Sequence, residues 1–202
     1  MRVLAGALKG KRLVTPRGST TRPTADQVRL ALLDTLTPYL PEARMLDLFA
    51  GAGGVGFEAL SRGAAHVTFV ERDARAVAAL RANVETLAVA AQTRIERLDV
   101  RAALERLARD AARFELVFLD PPYDEDAVTP TVERLGALPL VVPDGLVIAQ
   151  HMTKHPPPSE TGRLAAFRTR RFGETTLTFF RSGGYDAPSF STTPDDASDR
   201  EG

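Results

Sequence analysis

Cysteine does not occur in this chain of 202 residues. Its absence removes disulfides, thiolate nucleophiles and cysteine-held metals from the readings available. Histidine is scarce. With only His66, His151 and His155, a histidine zinc site has little to be built from, and no metal is expected. No run of eighteen apolar residues exists, so no membrane-spanning helix is expected. Arg2 is followed by Gly6, Lys9, Gly10, Lys11 and Arg12 without an apolar core between them, so a secretory leader is not expected and a cytoplasmic location is. Net charge is lacking as well, with 26 Lys and Arg against 26 Asp and Glu.

A neutral total argues, by itself, against a nucleic-acid partner, but the charges are unevenly placed. Residues 1–29 hold seven basic side chains (Arg2, Lys9, Lys11, Arg12, Arg17, Arg22, Arg29) and one acidic one, Asp26. Residues 186–202 hold five acidic side chains (Asp186, Asp195, Asp196, Asp199, Glu201) and one basic one, Arg200. A basic arm of this density suits phosphate contacts, which add affinity without reading sequence. The plainer alternative is a solvated loop region.

The chain divides into three parts. Residues 1–23 carry short apolar stretches between glycines and prolines and are expected to form a basic arm or small hairpin. Residues 24–184 read as one α/β domain with its first helix. Residues 185–202 form an acidic tail with little to bury, expected to be disordered. Within the domain, Thr24 and Gln27 have capping-box spacing, and Val28, Leu32, Leu33 and Leu36 then recur at helical spacing. Strands are expected at 45–49, 66–70, 93–98, 114–119 and 146–150, with helices at 56–61, 74–87, 100–109 and around Val128, Val132 and Leu135. The third strand is less apolar than the others, as an edge strand would be. A short stretch at 138–142 is cut by Pro139 and Pro143, and 167–172 with 175–181 reads as a hairpin turning at Gly173-Glu174.

Two motifs carry chemistry. The first is Asp47–Gly56 (DLFAGAGGVG), in which Gly51, Gly53 and Gly56 satisfy G-x-G-x-x-G directly after a strand and at the start of a helix. Glu71 ends the next strand, twenty residues beyond Gly51, where a carboxylate can accept both ribose hydroxyls of an adenosine. A nicotinamide dehydrogenase shares these features. A pyrophosphate, however, wants nothing acidic beside it, and Asp47 stands just before the loop. An aspartate there suits the cationic amino-acid end of S-adenosylmethionine, or serves only as a structural acceptor. Asp99, after the third strand, is placed for the adenine N6 amine, or for the N-cap of the following helix, or both.

The second motif is Asp120-Pro121-Pro122-Tyr123, closing the apolar run Leu116–Leu119. Open α/β sheets bind ligands at such strand ends. By itself the motif is also a proline-stiffened turn. The exocyclic amine of a base is a poor nucleophile because its lone pair is delocalised, so it must be rehybridised and aimed. Asp120 can accept one N–H and the Pro121 carbonyl the other, the fixed φ of Pro121 and Pro122 holds the acceptors still, and Tyr123 offers a stacking face for a flipped base. Together the motifs suggest a methyl group moved onto an exocyclic nitrogen.

The series Arg22-Pro23-Thr24, Val28-Arg29, Asp47–Gly53, Gly56-Phe57-Glu58-Ala59-Leu60-Ser61-Arg62-Gly63-Ala64 and Asp120–Tyr123 resembles the RsmD-type methyltransferases over about residues 2–181. That family modifies the N2 of a guanine in small-subunit (16S) ribosomal RNA. The resemblance implies a class I S-adenosylmethionine-dependent fold, Rossmann-like, with a seven-stranded, mostly parallel sheet and a C-terminal antiparallel hairpin. It also implies S-adenosylmethionine as methyl donor and ribosomal RNA as partner, expected within a ribosomal particle and met by a monomer. By position, Asp47, Gly51, Gly53, Glu71 and Asp99, with Phe49 of the same segment, would bind cofactor. Asp120, Pro121, Pro122 and Tyr123 would hold the guanine, Arg22 and Thr24 would close the pocket, and Lys9, Lys11, Arg12 and Arg17 of the arm would meet RNA. Leu30 and Gln150-His151 stand where the family more often has acidic residues, and the acidic tail is outside the shared pattern. Competing readings are an adenine-N6 methyltransferase acting on RNA or DNA, and an inactive RNA-binding scaffold on the same fold.

Overall fold

The structure, a computed structural model, describes residues 1–16, 23–122 and 127–183, with residues 23–26 given by backbone alone. Arg17, Arg22, Tyr123, the Thr24 side chain and the acidic tail therefore lie outside the described residues.

The elements run α1 (Pro23–Leu36), β1 (Arg44–Leu48), α2 (Gly54–Ser61), β2 (His66–Val70), α3 (Ala74–Leu87), β3 (Thr93–Glu96), α4 (Val100–Arg109), β4 (Phe114–Leu119), α5 (Val128–Ala137), β5 (Val141–Met152), β6 (Glu160–Thr161), β7 (Leu164–Phe172) and β8 (Thr175–Ser182). They build one sheet in the order β3-β2-β1-β4-β5-β8-β7-β6. The first five strands are parallel to one another, while β8, β7 and β6 join antiparallel. This is a Rossmann-like, mostly parallel α/β sheet with an antiparallel hairpin, the class expected. From β1 the chain winds outward to β2 and β3, then returns to place β4 on the other side of β1. That reversal opens a crevice beyond the carboxyl ends of β1 and β4.

Helices cover both faces of the parallel strands, so their residues are apolar without alternation. One core layer joins Leu32, Leu33 and Leu36 of α1, Phe57 of α2 and Leu80 of α3 to Met45, Phe69, Ile148 and Phe179. The other packs Leu104 and Leu107 of α4 and Val132 and Leu135 of α5 on Leu46, Val117, Val147 and Phe180. Asp73 caps α3 by accepting from the Arg75 and Ala76 N–H groups. Among the described residues no helix is long and apolar enough to cross a membrane.

Three details depart from the expected elements. The sheet has an eighth strand, because Glu160 and Thr161 pair with Ala165 and Leu164. β3 stops at Glu96, which frees Leu98 and Asp99 to turn over the sheet end; β3 is an edge strand, as its composition indicated. The 138–142 and 146–150 stretches are not separate: β5 runs through Pro143. Its pairing with β4 steps from Phe114↔Val141 to Leu116↔Leu146, and the extra residues are absorbed by a bulge with Asp144 at φ 61°.

Residues 1–13 form a hairpin, with a bridge between Arg2 and Arg12, the Val3 N–H donating to the Lys11 carbonyl and the Leu13 N–H to the Met1 carbonyl. It does not stand clear of the domain. Val3 and Leu13 are buried in the α1–α3 core layer. Glu58, at 1% exposure, accepts from the Leu4 and Ala5 N–H groups, and Ser61 accepts from Leu8.

Gly56 is the tightest helix-to-sheet contact behind the crevice: a Cβ there would lie 2.3 Å from Phe69 Cε1 and 2.8 Å from Val67 Cγ1. Both neighbours are buried and cannot swing aside. Gly56→Ala should therefore cost about 1–3 kcal/mol of stability by overpacking. Urea unfolding should show a lower midpoint at unchanged m; a midpoint equal to the parent's would mean that the helix shifts freely.

Candidate active site

The crevice is a cleft of about 320 Å³ whose wall includes Phe49, Gly51, Val70, Glu71, Leu98, Asp99, Val100, Asp120, Pro121 and Pro122. Three separate strand ends thus deliver Glu71, Asp99 and Asp120 to one space. Phe49, Val70, Leu98 and Val100 supply the apolar part of the wall, as ligand clefts generally require.

The glycine loop is held by the two carboxylates that flank it. Glu71 Oε2 accepts from the Gly51 N–H at 2.9 Å, and its Oε1 accepts from the Asp73 N–H at 2.8 Å. Each oxygen keeps a second lone pair for a ligand. Gly51 has φ 55°, and nothing lies within 4 Å of where its Cβ would be; a ligand can approach the backbone there. Gly53 plays another part. It is the N-cap residue of α2 in the left-handed region, and a Cβ on it would strike Phe57 and Leu80.

Asp47 sits beneath the loop at 2% exposure, and its Oδ2 accepts from the Gly56 N–H at 3.0 Å. Gly56 is the third residue of α2, so this bond fills one of the orphan donors at the helix start from a neighbouring strand. The structure thus shows Asp47 in the structural use that the sequence left open, and neither it nor Gly53 is part of the cleft wall. Asp99 lines the cleft, and its Oδ1 accepts from the Arg101 N–H and caps α4. Lys9, Lys11 and Arg12 are exposed on the hairpin and lie outside the cleft.

Burial pushes the Asp120 carboxyl from 3.8 up to about 7. Burial also raises Asp47 to about 7, against the lowering effect of the Gly56 bond and helped by the negative charges of Asp120 and Glu71. A positive charge brought close to Asp120 in the cleft wall would favour its ionised form.

Three polar residues outside the expected set hold the site together. Asn83, fully buried on α3, accepts from the Val14 N–H at 2.7 Å and donates through Nδ2 to the carbonyls of Val14 and of Ala52 in the glycine loop. Glu58 and Ser61 dock the hairpin on α2. Each was detectable only as a polar residue on an otherwise apolar helix face. His151 is buried between β5 and β8, with Nδ1 at 2.9 Å from the Met152 carbonyl and Nε2 at 2.8 Å from Thr178 Oγ1, and burial lowers its pKa.

Residues 1–181 match the family described as conserved hypothetical protein 95. The chain belongs to that family. YlbH of Bacillus subtilis (strain 168) is 35% identical over 184 residues, covering 91% of this chain and 100% of its own. Ribosomal RNA small subunit methyltransferase D of Haemophilus influenzae is 33% identical over 154 residues, covering 74% and 78%. Among solved structures, yhhF of Escherichia coli superposes with a TM-score of 0.80 at 28% identity, over 91% of this chain and 98% of that one. The fold and the family are those of class I S-adenosylmethionine-dependent methyltransferases related to the RsmD type.

The raised carboxylates make a signed prediction. An unfolded aspartate ionises near 3.9, so between about pH 4 and 7 the folded protein binds more protons than the unfolded one, and Asp120 makes stability fall as pH rises through that window. Asp120→Asn should raise the unfolding free energy above pH 7 and leave it unchanged below pH 4. Denaturant titrations at the two pH values check this; an equal effect at both would remove the ionisation of Asp120 as the cause.

Proposed function

We propose that this protein transfers a methyl group from S-adenosylmethionine to the exocyclic N2 of a guanine in small-subunit (16S) ribosomal RNA, with a ribosomal particle as the substrate. The observation that carries this reading is the sharing of one cleft by Asp120-Pro121-Pro122 and by the Gly51, Glu71 and Asp99 set. The names of the relatives support the choice of ribosomal RNA.

The donor set fits the cofactor. Gly51 leaves open space at the loop, Glu71 has lone pairs for two ribose hydroxyls, Asp99 offers Oδ2 to an adenine amine, and Phe49, Val70, Leu98 and Val100 form an apolar enclosure. When bound, S-adenosylmethionine supplies a methyl already activated on a positive sulfur, so no metal is called for. A positive sulfur near Asp120 would favour the ionised form of that carboxyl, which burial otherwise opposes. Asp120 accepts an N–H of the guanine amine and the Pro121 carbonyl the other, which turns the nitrogen lone pair out of conjugation. The methyl–sulfur bond would break as the N–C bond forms, leaving the neutral thioether S-adenosylhomocysteine, and the amine would lose a proton. A carboxylate raised to about 7 takes it more readily than an ordinary aspartate does. Tyr123, Arg22 and Thr24 enter this reading through the sequence alone: Tyr123, next along the chain, would offer the base a stacking face, and Arg22 and Thr24 would close the pocket. Lys9, Lys11 and Arg12, exposed on the docked hairpin, and Arg17 beyond it meet the phosphates.

Methyl transfer to undermethylated small-subunit particles, read by nucleoside mass spectrometry, should yield N2-methylguanosine; N6-methyladenosine as the product would replace this reading with the adenine one. Asp120→Ala should lower turnover about 30- to 1000-fold, as expected when an aligned polar interaction worth roughly 2–4 kcal/mol is removed. Its affinity for S-adenosylhomocysteine by calorimetry should stay near the parent's. Glu71→Ala should do the reverse and weaken that affinity first, since it removes both the loop tether and the ribose acceptor. Turnover should rise with pH through about 7 as Asp120 ionises. A folded Asp120→Ala protein methylating at the parental rate would remove Asp120 from the reaction.

A further inference from the structure

The hairpin of β7 and β8 is strongly basic. Residues 163–183 contain Arg163, Arg168, Arg170, Arg171 and Arg181 against a single acid, Glu174. β7 is bulged between Ala166 and Arg168, and the extra residue is Phe167. A bulge re-aims the side chain it carries, and here it turns an aromatic ring outward: Phe167 is 44% exposed. The ring is nonetheless fixed in place. It meets Phe179 edge-on, with centroids 6.4 Å apart, and the Arg181 guanidinium lies 5.1 Å from its centroid. Phe179 belongs to the core layer under α1, so Phe167 and Arg181 stand on the α1 side of the sheet. Arg168 pairs with Phe179 and shares that side, is exposed, and makes no hydrogen bond or ion pair among the described residues. Arg170 is tied to α1 through the Ala31 carbonyl and Thr35 Oγ1, which fixes the helix against this edge.

Arginines on an outer strand have a plain use, which is to prevent edge-to-edge pairing, and β6 covers β7 only at Leu164 and Ala165. Edge protection accounts for the charges. It does not account for a large aromatic ring placed among them, since exposed apolar surface on an open edge promotes the association that the charges oppose. A rigid ring with guanidinium groups around it is instead the composition of a single-strand stacking platform.

Register fixes where this platform lies. Arg170 pairs with Leu177, Leu177 pairs with Gln150, and Gln150 follows Ala149, the partner of Leu119. Arg170 is therefore level with Asp120 along the strand direction and three strands away, roughly 14 Å at about 4.8 Å per strand spacing. Phe167 and Arg168 lie about two residues further down the same edge.

We propose that Phe167, with Arg168 and Arg181, is a second RNA-binding site, at which an unpaired base flanking the target stacks on Phe167 while the two arginines meet its phosphates. This rests on the RNA substrate proposed above and adds to it a contact outside both the cleft and the basic arm. Its role is binding, so it should act on the RNA affinity and KM and leave the chemical step alone.

The test uses the full chain, fluorescence anisotropy with a small-subunit ribosomal RNA fragment and with undermethylated particles, and S-adenosylhomocysteine calorimetry as the control. Phe167→Ala should weaken RNA binding roughly 5- to 150-fold, the range for loss of one base stack. Phe167→Trp should retain the affinity. Arg168→Ala combined with Arg181→Ala should reduce the salt slope by roughly one unit for each phosphate no longer neutralised. All three proteins should bind S-adenosylhomocysteine as the parent does and keep its kcat at saturating RNA. Parental affinity and salt slope in both the Phe167→Ala and the double-arginine proteins would overturn the proposal. Loss of particle binding with parental binding of naked RNA would also overturn it, by assigning the patch to a ribosomal protein. A parent that binds no RNA would instead sink the functional reading, and this inference with it.

Discussion

One hydrogen bond fixes the geometry on which the site depends: the buried Asp47 carboxylate accepting from the Gly56 N–H. It joins the central strand to the third residue of α2 across the glycine loop, so the loop between them has little freedom. Gly56 itself is pressed on Phe69 and Val67, which fixes the height of the helix over the sheet. With both ends set, Glu71 reaches the Gly51 N–H from the next strand and completes the cradle. A carboxylate placed so deep is costly to ionise, and its pKa near 7 records that cost.

The second organising device is the docking of the hairpin. Glu58 and Ser61 hold it to α2, while Asn83 holds its far end to α3 and, through the Ala52 carbonyl, to the glycine loop. Arg62 extends this system to α1 through Asp34. Buried polar networks of this kind are worth keeping only when their members are satisfied together. The hairpin, the cofactor loop and the first helix therefore form one block, although they are far apart in sequence.

Much of this was legible in the sequence, for a definite reason. Glu71 and Asp120 each follow an apolar run that ends abruptly, Asp99 follows the weaker third strand by three residues, and in a parallel sheet all such ends lie on one side; placing the strands placed the residues. α3 and α4 were readable residue by residue because their apolar spacing is regular, and Asp99 offered itself as the cap of α4. The direction in which Asp47 points was not readable. β1 is covered on both faces, so no alternation marks which side chains point toward the cleft and which lie beneath it. Asn83, Glu58 and Ser61 escaped because their partners lie 31 to 69 residues away. The bulge in β5 escaped because Pro143 reads locally as a stop, and only pairing with β4 on both sides of it keeps the strand going.

The way the hairpin is anchored has an evolutionary side. Leu4, Ala5, Ala7, Leu8 and Val14 are all gripped by their main-chain atoms. Besides the gripping side chains Glu58, Ser61 and Asn83, the foundation needs the buried Val3 and Leu13 and Gly6, where a Cβ would meet the Ser61 carbonyl. The outward-facing positions of the hairpin are then free to drift, and a lineage can retune which surface it meets by substituting those positions one at a time. Each such change leaves the foundation, and the cofactor loop tied to it, undisturbed. The hairpin is a replaceable fingertip on a fixed hand.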